Sequence, residues 1–159
     1  MTYDPASRTT RELLGDWAAI MRALRDREVI RTNNNPIGDI AEAIVHQHYG
    51  GERGSFSQAG WDIKTTDGKR LQVKALRRMP SSKRRNLSPI RDQDYDAVVI
   101  VIFDENFAVE QGLRVSRELV ESTFEHKPYL NGRIITVTNV LVDHPEVEHL
   151  ELSYTLLDD

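Results

Sequence analysis

The sequence predicts an α/β fold, one mixed central β-sheet flanked by helices, and three observations predict it. Two amphipathic helical stretches open the chain. A near-continuous β-branched run, Tyr95 to Phe103, has the pattern of a central strand buried on both faces. Between them, Gly60 to Arg78 reads as two strands joined by a tight turn at Thr66-Asp67-Gly68. The predicted order is helix, helix, four strands, helix, strand.

Each element has a local reason. Thr9 and Glu12 form a capping box for a helix running to about Glu28, in which Leu13, Trp17, Ile20, Met21 and Leu24 recur at helical spacing and should pack. Asn33-Asn34-Asn35-Pro36 breaks the chain, with Asn35 as N-cap and Pro36 at the first position of a second helix. That helix runs to about Tyr49 and closes at Gly50-Gly51. Ile37, Ile40, Ala41, Ile44 and Val45 form its buried stripe, and Glu42 lies beside the stripe, at the edge of whatever sheet the helix covers. His46 and His48 read as surface or helix-end residues. A polar loop spans 51–60, and residues 79–86 lack periodicity and read as a loop. Ala108 to Val115 is a further strand, Ser116 caps a short helix to about Glu125, and Arg133 to Val137 is a last strand. His144-Pro145 breaks what precedes it. The chain shows no internal repeat. It reads as one domain over 1–159, with a helical extension (1–33), a core (34–138) and a C-terminal segment (139–159).

The chemistry concentrates in the hairpin. Its first strand carries Asp62 and its second carries Gln72, Val73 and Lys74 before Arg77 and Arg78. Strand side chains alternate faces, so register decides whether Asp62 and Gln72 meet. A two-residue loop would set Asp62 opposite Val73. A three-residue bulged loop, with Gly68 supplying the left-handed residue, sets it opposite Gln72 and brings Lys74 to the same face. The second register is the one that makes a site.

Composition bounds the function. The chain has 159 residues, 39% hydrophobic and 29% charged, which is a globular balance. No apolar run approaches the roughly 20 residues of a membrane span, and no signal-peptide pattern opens the chain. Cysteine is absent, so disulfides and thiolate metal sites are excluded and a cytoplasmic location is expected. Net charge is −4, yet Lys69 to Arg91 holds nine basic residues and no acid. The rest holds 12 basic and 25 acidic residues, a net of −13. One positive segment on an acidic protein points to a localised polyanion contact. A solvated basic loop is the plainer alternative.

With Glu42 on a helix, Asp62 on a strand and Gln72-x-Lys74 on the next, the chain resembles the PD-(D/E)xK nuclease superfamily. That group includes restriction endonucleases, Holliday junction resolvases and very-short-patch or Mrr-like nucleases. The segments GDIAEAIV and GWDIKTTDGKRLQVKALRR look closest to small stand-alone bacterial members. The resemblance covers roughly Asn34 to Phe103 and implies a restriction-endonuclease-like core of order α-β-β-β-α-β. It implies that Asp62 is the metal-binding acid, Gln72 the second ligand, Lys74 the lysine beside the attacking water, and Glu42 the acid contributed by the first core helix. Two departures stand out. Trp61 replaces the proline common before the acid, and Gln72 replaces a Glu or Asp, which removes one negative charge at the metal.

The activity implied is metal-dependent endonuclease cleavage of DNA, in defence or in repair. Mg²⁺, with Mn²⁺ as substitute, prefers oxygen ligands, here Asp62, Gln72, the Val73 carbonyl and Glu42. Lys74 would orient water or stabilise charge. Arg77, Arg78, Lys83, Arg84 and Arg85 would grip the flanking backbone. RNA as substrate and a homodimeric state stay open. The competing expectations are a binding module of the same fold without catalysis, and a protein-interaction subunit whose basic loop meets an acidic partner.

Overall fold

The computed structural model describes residues 2–55 and 60–152. Part of the loop expected over 51–60 and the end of the segment 139–159 lie outside the described residues. Among these residues six strands form one mixed sheet in sequence order: β1 (Glu52–Arg53), β2 (Ile63–Lys64), β3 (Arg70–Arg77), β4 (Ala97–Phe103), β5 (Val109–Ser116) and β6 (Glu148–Leu150). Only β3 and β4 are parallel, in a register that pairs Gln72 with Val98 and Lys74 with Ile100; every other neighbouring pair is antiparallel.

The helices are α1 (Thr10–Asp26), α2 (Ile37–Tyr49), α3 (Arg117–Thr123) and α4 (Asn139–Val142). α1 starts on the expected capping box, and Ser116 caps α3 through the Leu119 amide. α2 begins one residue later than expected, although the Asn35 side chain still accepts from the Ile37 amide at 3.2 Å. No helix among the described residues is long and apolar enough to cross a membrane.

β4 is buried at every position, as its β-branched run predicts. Its residues alternate between two cores. Val98, Ile100 and Ile102 face a cluster with Leu76, Leu113, Val115, Leu119 and Leu141. Ala97, Val99, Val101 and Phe103 face another with Ile40, Ile44 and Val45 of α2 and with Val29 and Ile30. α2 therefore lies against β3, and the alternation along β3 sorts Leu71 and Val73 to the α2 side and Leu76 to the other.

Two expectations need correction. The segment 133–137 forms isolated bridges, Ile90 with Arg133 and Asn86 with Thr136, in place of a strand; β6 supplies the outer strand. Its alternating apolar residues, Ile135 and Val137, are buried, so the pattern reflects core contact without a ladder. The stripe of α1 is mostly exposed: Met21 is buried and Leu24 half-buried, whereas Leu13, Trp17 and Ile20 face outward. The end of α1 explains its abrupt turn. The Val29 amide donates to Leu24 O (3.0 Å) and the Glu28 amide to Arg25 O (2.9 Å), a Schellman closure. Glu28 takes φ +60 where glycine is favoured.

Candidate active site

The turn between β2 and β3 has the three-residue bulged form. The Thr65 amide donates to Lys69 O at 2.8 Å, the Gly68 amide to Thr65 O at 3.0 Å, and Gly68 adopts φ +86. Ile63 is thereby paired with Leu71 and Lys64 with Arg70. Extended by one step, this register sets Asp62 opposite Gln72, but the chain departs from it there. The Asp62 amide donates to the Leu71 carbonyl (2.8 Å), so Asp62 and Ile63 both address Leu71, a local β-bulge. The bulge aims the Asp62 carboxylate at backbone: Oδ2 accepts from the Val73 amide at 2.7 Å. The N–H and C=O of a strand residue point to the same side, so the Val73 carbonyl faces Asp62 as well.

Gln72 is buried, and its Nε2 donates to Gly60 O at 2.7 Å. Gly60 is held in turn by Asp92, whose Oδ2 accepts its amide at 3.1 Å. At φ +91 a Cβ on residue 60 would lie 2.8 Å from the Asp94 side chain, so glycine is required for this approach. Lys74 donates to Ser88 Oγ (3.0 Å) and to the Pro89 carbonyl (3.3 Å). Glu42 sits half-buried on α2, where Oε2 accepts from Arg53 Nη2 at 3.2 Å and Arg31 Nη2 at 3.4 Å. Arg31 Nη2 also donates to Gly54 O at 2.9 Å.

The electrostatics link these groups. Burial raises the Asp62 carboxyl above its ordinary value, against the Val73 hydrogen bond and the fields of Lys74, Arg31 and Arg53. Burial likewise raises Glu42, reinforced by the Asp62 charge and opposed by Arg53 and Arg31. Burial lowers Lys74, opposed by Asp62 and, more weakly, by Asp92 and Glu42. Each of the three is pushed toward neutrality; Lys74 feels both acids, Glu42 feels Asp62, and Asp62 feels Lys74. Such convergence of perturbed groups in one place makes the cluster a functional-site candidate.

The structure therefore brings Glu42, Asp62, Val73 and Lys74 together, with Gln72 beside them. The basic residues divide. Arg84 lines a cleft of about 320 Å³ that Val73, Lys74, Asn35 and Ser88 also line. Lys83 is exposed. Arg85 donates to the Val137 carbonyl at 3.5 Å. Arg77 also lines the cleft, but its guanidinium stacks 4.2 Å from the Phe107 ring centroid and donates to the Glu105 carbonyl. Arg78 pairs with Glu110 at 3.2 Å. Sequence reasoning missed Arg31 and Arg53, which hold Glu42. A single arginine in a polar stretch carries no periodicity and leaves no signal. Ser88-Pro89, which seats Lys74, carries only the signal of a turn.

The donor set suits a hard divalent cation in kind: two carboxylates, an amide oxygen and a backbone carbonyl. The bonds described use one oxygen of each carboxylate and the nitrogen of the Gln72 amide. Among the described residues no group of three carboxylates or imidazoles is placed to hold a metal ion, so such a site would rest on two acids. No protein-family model matches this chain, and no curated protein matches it.

Proposed function

We propose that this chain is a metal-dependent endonuclease that hydrolyses phosphodiester bonds in DNA, built on a restriction-endonuclease-like core. The observation that carries the reading is the convergence of Glu42, Asp62 and Lys74 around Val73, with both acids raised and the lysine lowered. The order of helix acid, bulged hairpin, lysine strand, buried strand and later helix supports the core assignment.

Mg²⁺, or Mn²⁺ in its place, would be held by Asp62, Glu42, the Gln72 amide oxygen and the Val73 carbonyl, and when bound would supply Lewis-acid activation of water and phosphate. The protein's own part is positioning. The Val73 amide fixes Asp62, the two arginines fix Glu42, and Gly60 fixes the Gln72 side chain. Lys74, held by Ser88 and Pro89, presents donors to an attacking water or to phosphate oxygens. Arg84 and Lys83, beside the cleft that Lys74 lines, would take the flanking phosphates.

A second reading, a nucleic-acid-binding module without catalysis, is favoured by two observations. Glu42 already has two arginine partners, and Gln72 brings no charge to offset a cation. Cleavage separates the two. Purified protein with Mn²⁺ or Mg²⁺ is expected to cut plasmid, single-stranded or branched DNA, and EDTA is expected to stop it. DNA binding with no cut substrate in any metal would leave the module reading in place.

A further inference from the structure

A second polar centre lies beside the cluster and shares with it the two arginines that hold Glu42. A cavity of about 580 Å³ is lined by Arg25, Arg27, Arg31, Arg53, His46 and Glu28, over a floor of Ile30 and Ala43. Ile30 and Ala43 are buried, so the arginines surround a low-dielectric base. Four guanidiniums against Glu28 in the lining and Glu42 behind it leave a formal charge of +2. Concave, low-dielectric walls focus such a field on an anion. Its lining comes from the end of α1 (Arg25), the connection to α2 (Arg27, Glu28, Ile30 and Arg31), α2 (Ala43 and His46) and β1 (Arg53).

We propose that this cavity binds the phosphate monoester of a nucleoside. Guanidinium forks match phosphate oxygens in pairs, and a dianion answers the charge of the lining. One donor stands ready: Arg53 Nε is buried and has no hydrogen-bond partner among the described residues, while Nη2 of the same side chain holds Glu42. The volume is that of a small-ligand pocket, larger than a bare phosphate needs. Glu28 supplies the reason for a sugar. Its carboxylate would repel a lone dianion but accepts a hydrogen bond from a hydroxyl attached to one. Glu28 lines the cavity beside the arginines. The ligand this chemistry selects is a free mononucleotide, whose 3′-hydroxyl is open to Glu28; at the 5′ end of a DNA strand that oxygen is esterified.

Calorimetric titration of the full chain tests the site independently of cleavage. The probes are deoxyadenosine 5′-monophosphate, inorganic phosphate, and a short oligonucleotide with a 5′-phosphate beside its 5′-hydroxyl twin. Deoxyadenosine 5′-monophosphate is expected to bind at least tenfold more tightly than inorganic phosphate. The two oligonucleotides are expected to bind equally, because the 5′-terminal sugar of the phosphorylated one has no free hydroxyl; a tenfold preference for the phosphorylated oligonucleotide over its twin would overturn the assignment to a free mononucleotide. The double variant Arg25→Ala with Arg27→Ala, checked for an unchanged melting curve, should weaken binding at least tenfold. Arg25→Lys with Arg27→Lys, which keeps charge without the fork, should recover only part of it. Failure of every phosphate probe to bind overturns the proposal. So does binding that either arginine double variant leaves unchanged, or a preference for inorganic phosphate over the nucleotide.

Discussion

β3 carries an ion cluster at its start and another at its middle, and the two behave in opposite ways. At the start, Arg70 is bracketed by Asp94 and Asp96: its Nε meets Asp96 Oδ2 at 3.3 Å and Nη1 bonds Asp94. Asp96 Oδ2 also accepts the Arg70 amide at 2.8 Å, and Arg70 O accepts the Asp96 amide at 2.8 Å. These groups are wet, Asp94 being 72% exposed, and their hydrogen bonds strengthen each charge: Arg70 is raised and Asp96 is lowered. Four residues along, Lys74, Asp62 and Glu42 are again one basic and two acidic residues, with burial in control. Arg53 and Glu42 there are 15% and 20% exposed. The acids rise and the lysine falls. The first cluster fastens β3 to the start of β4. The second holds charge where the fold would rather have none, and that is the arrangement a cation or a phosphate can relieve.

The largest expected effect breaks the comparison by substitution. Asp62→Ala should reduce cleavage on the order of 10²–10³-fold, whereas Asp96→Ala should leave the rate of the folded protein within about twofold. Initial rates on plasmid at saturating Mn²⁺ check both, and equal losses would erase the distinction between the clusters.

A smaller effect concerns the polyanion contact beside the second cluster. Lys83→Ala with Arg84→Ala should lower the log-log salt slope of DNA binding by about 2, roughly one unit per phosphate contact. Adding Arg85→Ala should change it little further, because Arg85 already bonds the Val137 carbonyl. Anisotropy titrations over a salt series give the slope, and no change in it would show that this loop does not touch DNA.

The smallest effects are on stability, and their pH dependence has opposite sign at the two clusters. Asp96 has a lowered folded-state pKa, so its contribution is present above the unfolded value of about 4 and lost as pH falls through the folded one. Asp96→Ala should cost on the order of 1 kcal/mol at neutral pH, from the backbone hydrogen bond and a screened ion pair, and less in acid. Asp62 has a raised folded-state pKa. Its ionised form opposes folding above that value, and the penalty disappears as pH falls to the unfolded one. Asp62→Asn should therefore stabilise the protein by about 0.5–2 kcal/mol at neutral pH, with the gain fading on acidification. Urea denaturation at several pH values reads both, and parallel trends would contradict the contrast.

Much of this was legible in the sequence where one local rule decides the outcome. The Thr9–Glu12 box started α1, the Tyr95–Phe103 run gave β4, and Gly68 selected the three-residue turn that sets the β2–β3 register. The same reasoning placed Asp62 directly across from Gln72 and stopped short of the bulge, because a bulge depends on the Asp62 side chain finding the Val73 amide. Arg31 and Arg53 were invisible for a related reason: their partner, Glu42, lies 11 residues away from each, on a different element. Residues 133–137 alternate as a strand does because they are buried, and burial alone does not supply a neighbouring ladder.

On the proposed function, the Asp62 and Glu42 charges are held for a cation. Calorimetric titration of Mn²⁺ and Mg²⁺ into the wild type, Asp62→Ala and Gln72→Glu shows whether they are. Wild type should bind one ion, and Asp62→Ala should abolish the heat. Gln72→Glu, which adds the missing negative oxygen, should tighten binding by about tenfold or more. Mn²⁺ should bind more tightly than Mg²⁺ at a site with an amide and a carbonyl among its ligands. Absence of a binding isotherm in wild type and in Gln72→Glu alike would contradict the claim and leave two acids buried for the fold's own reasons.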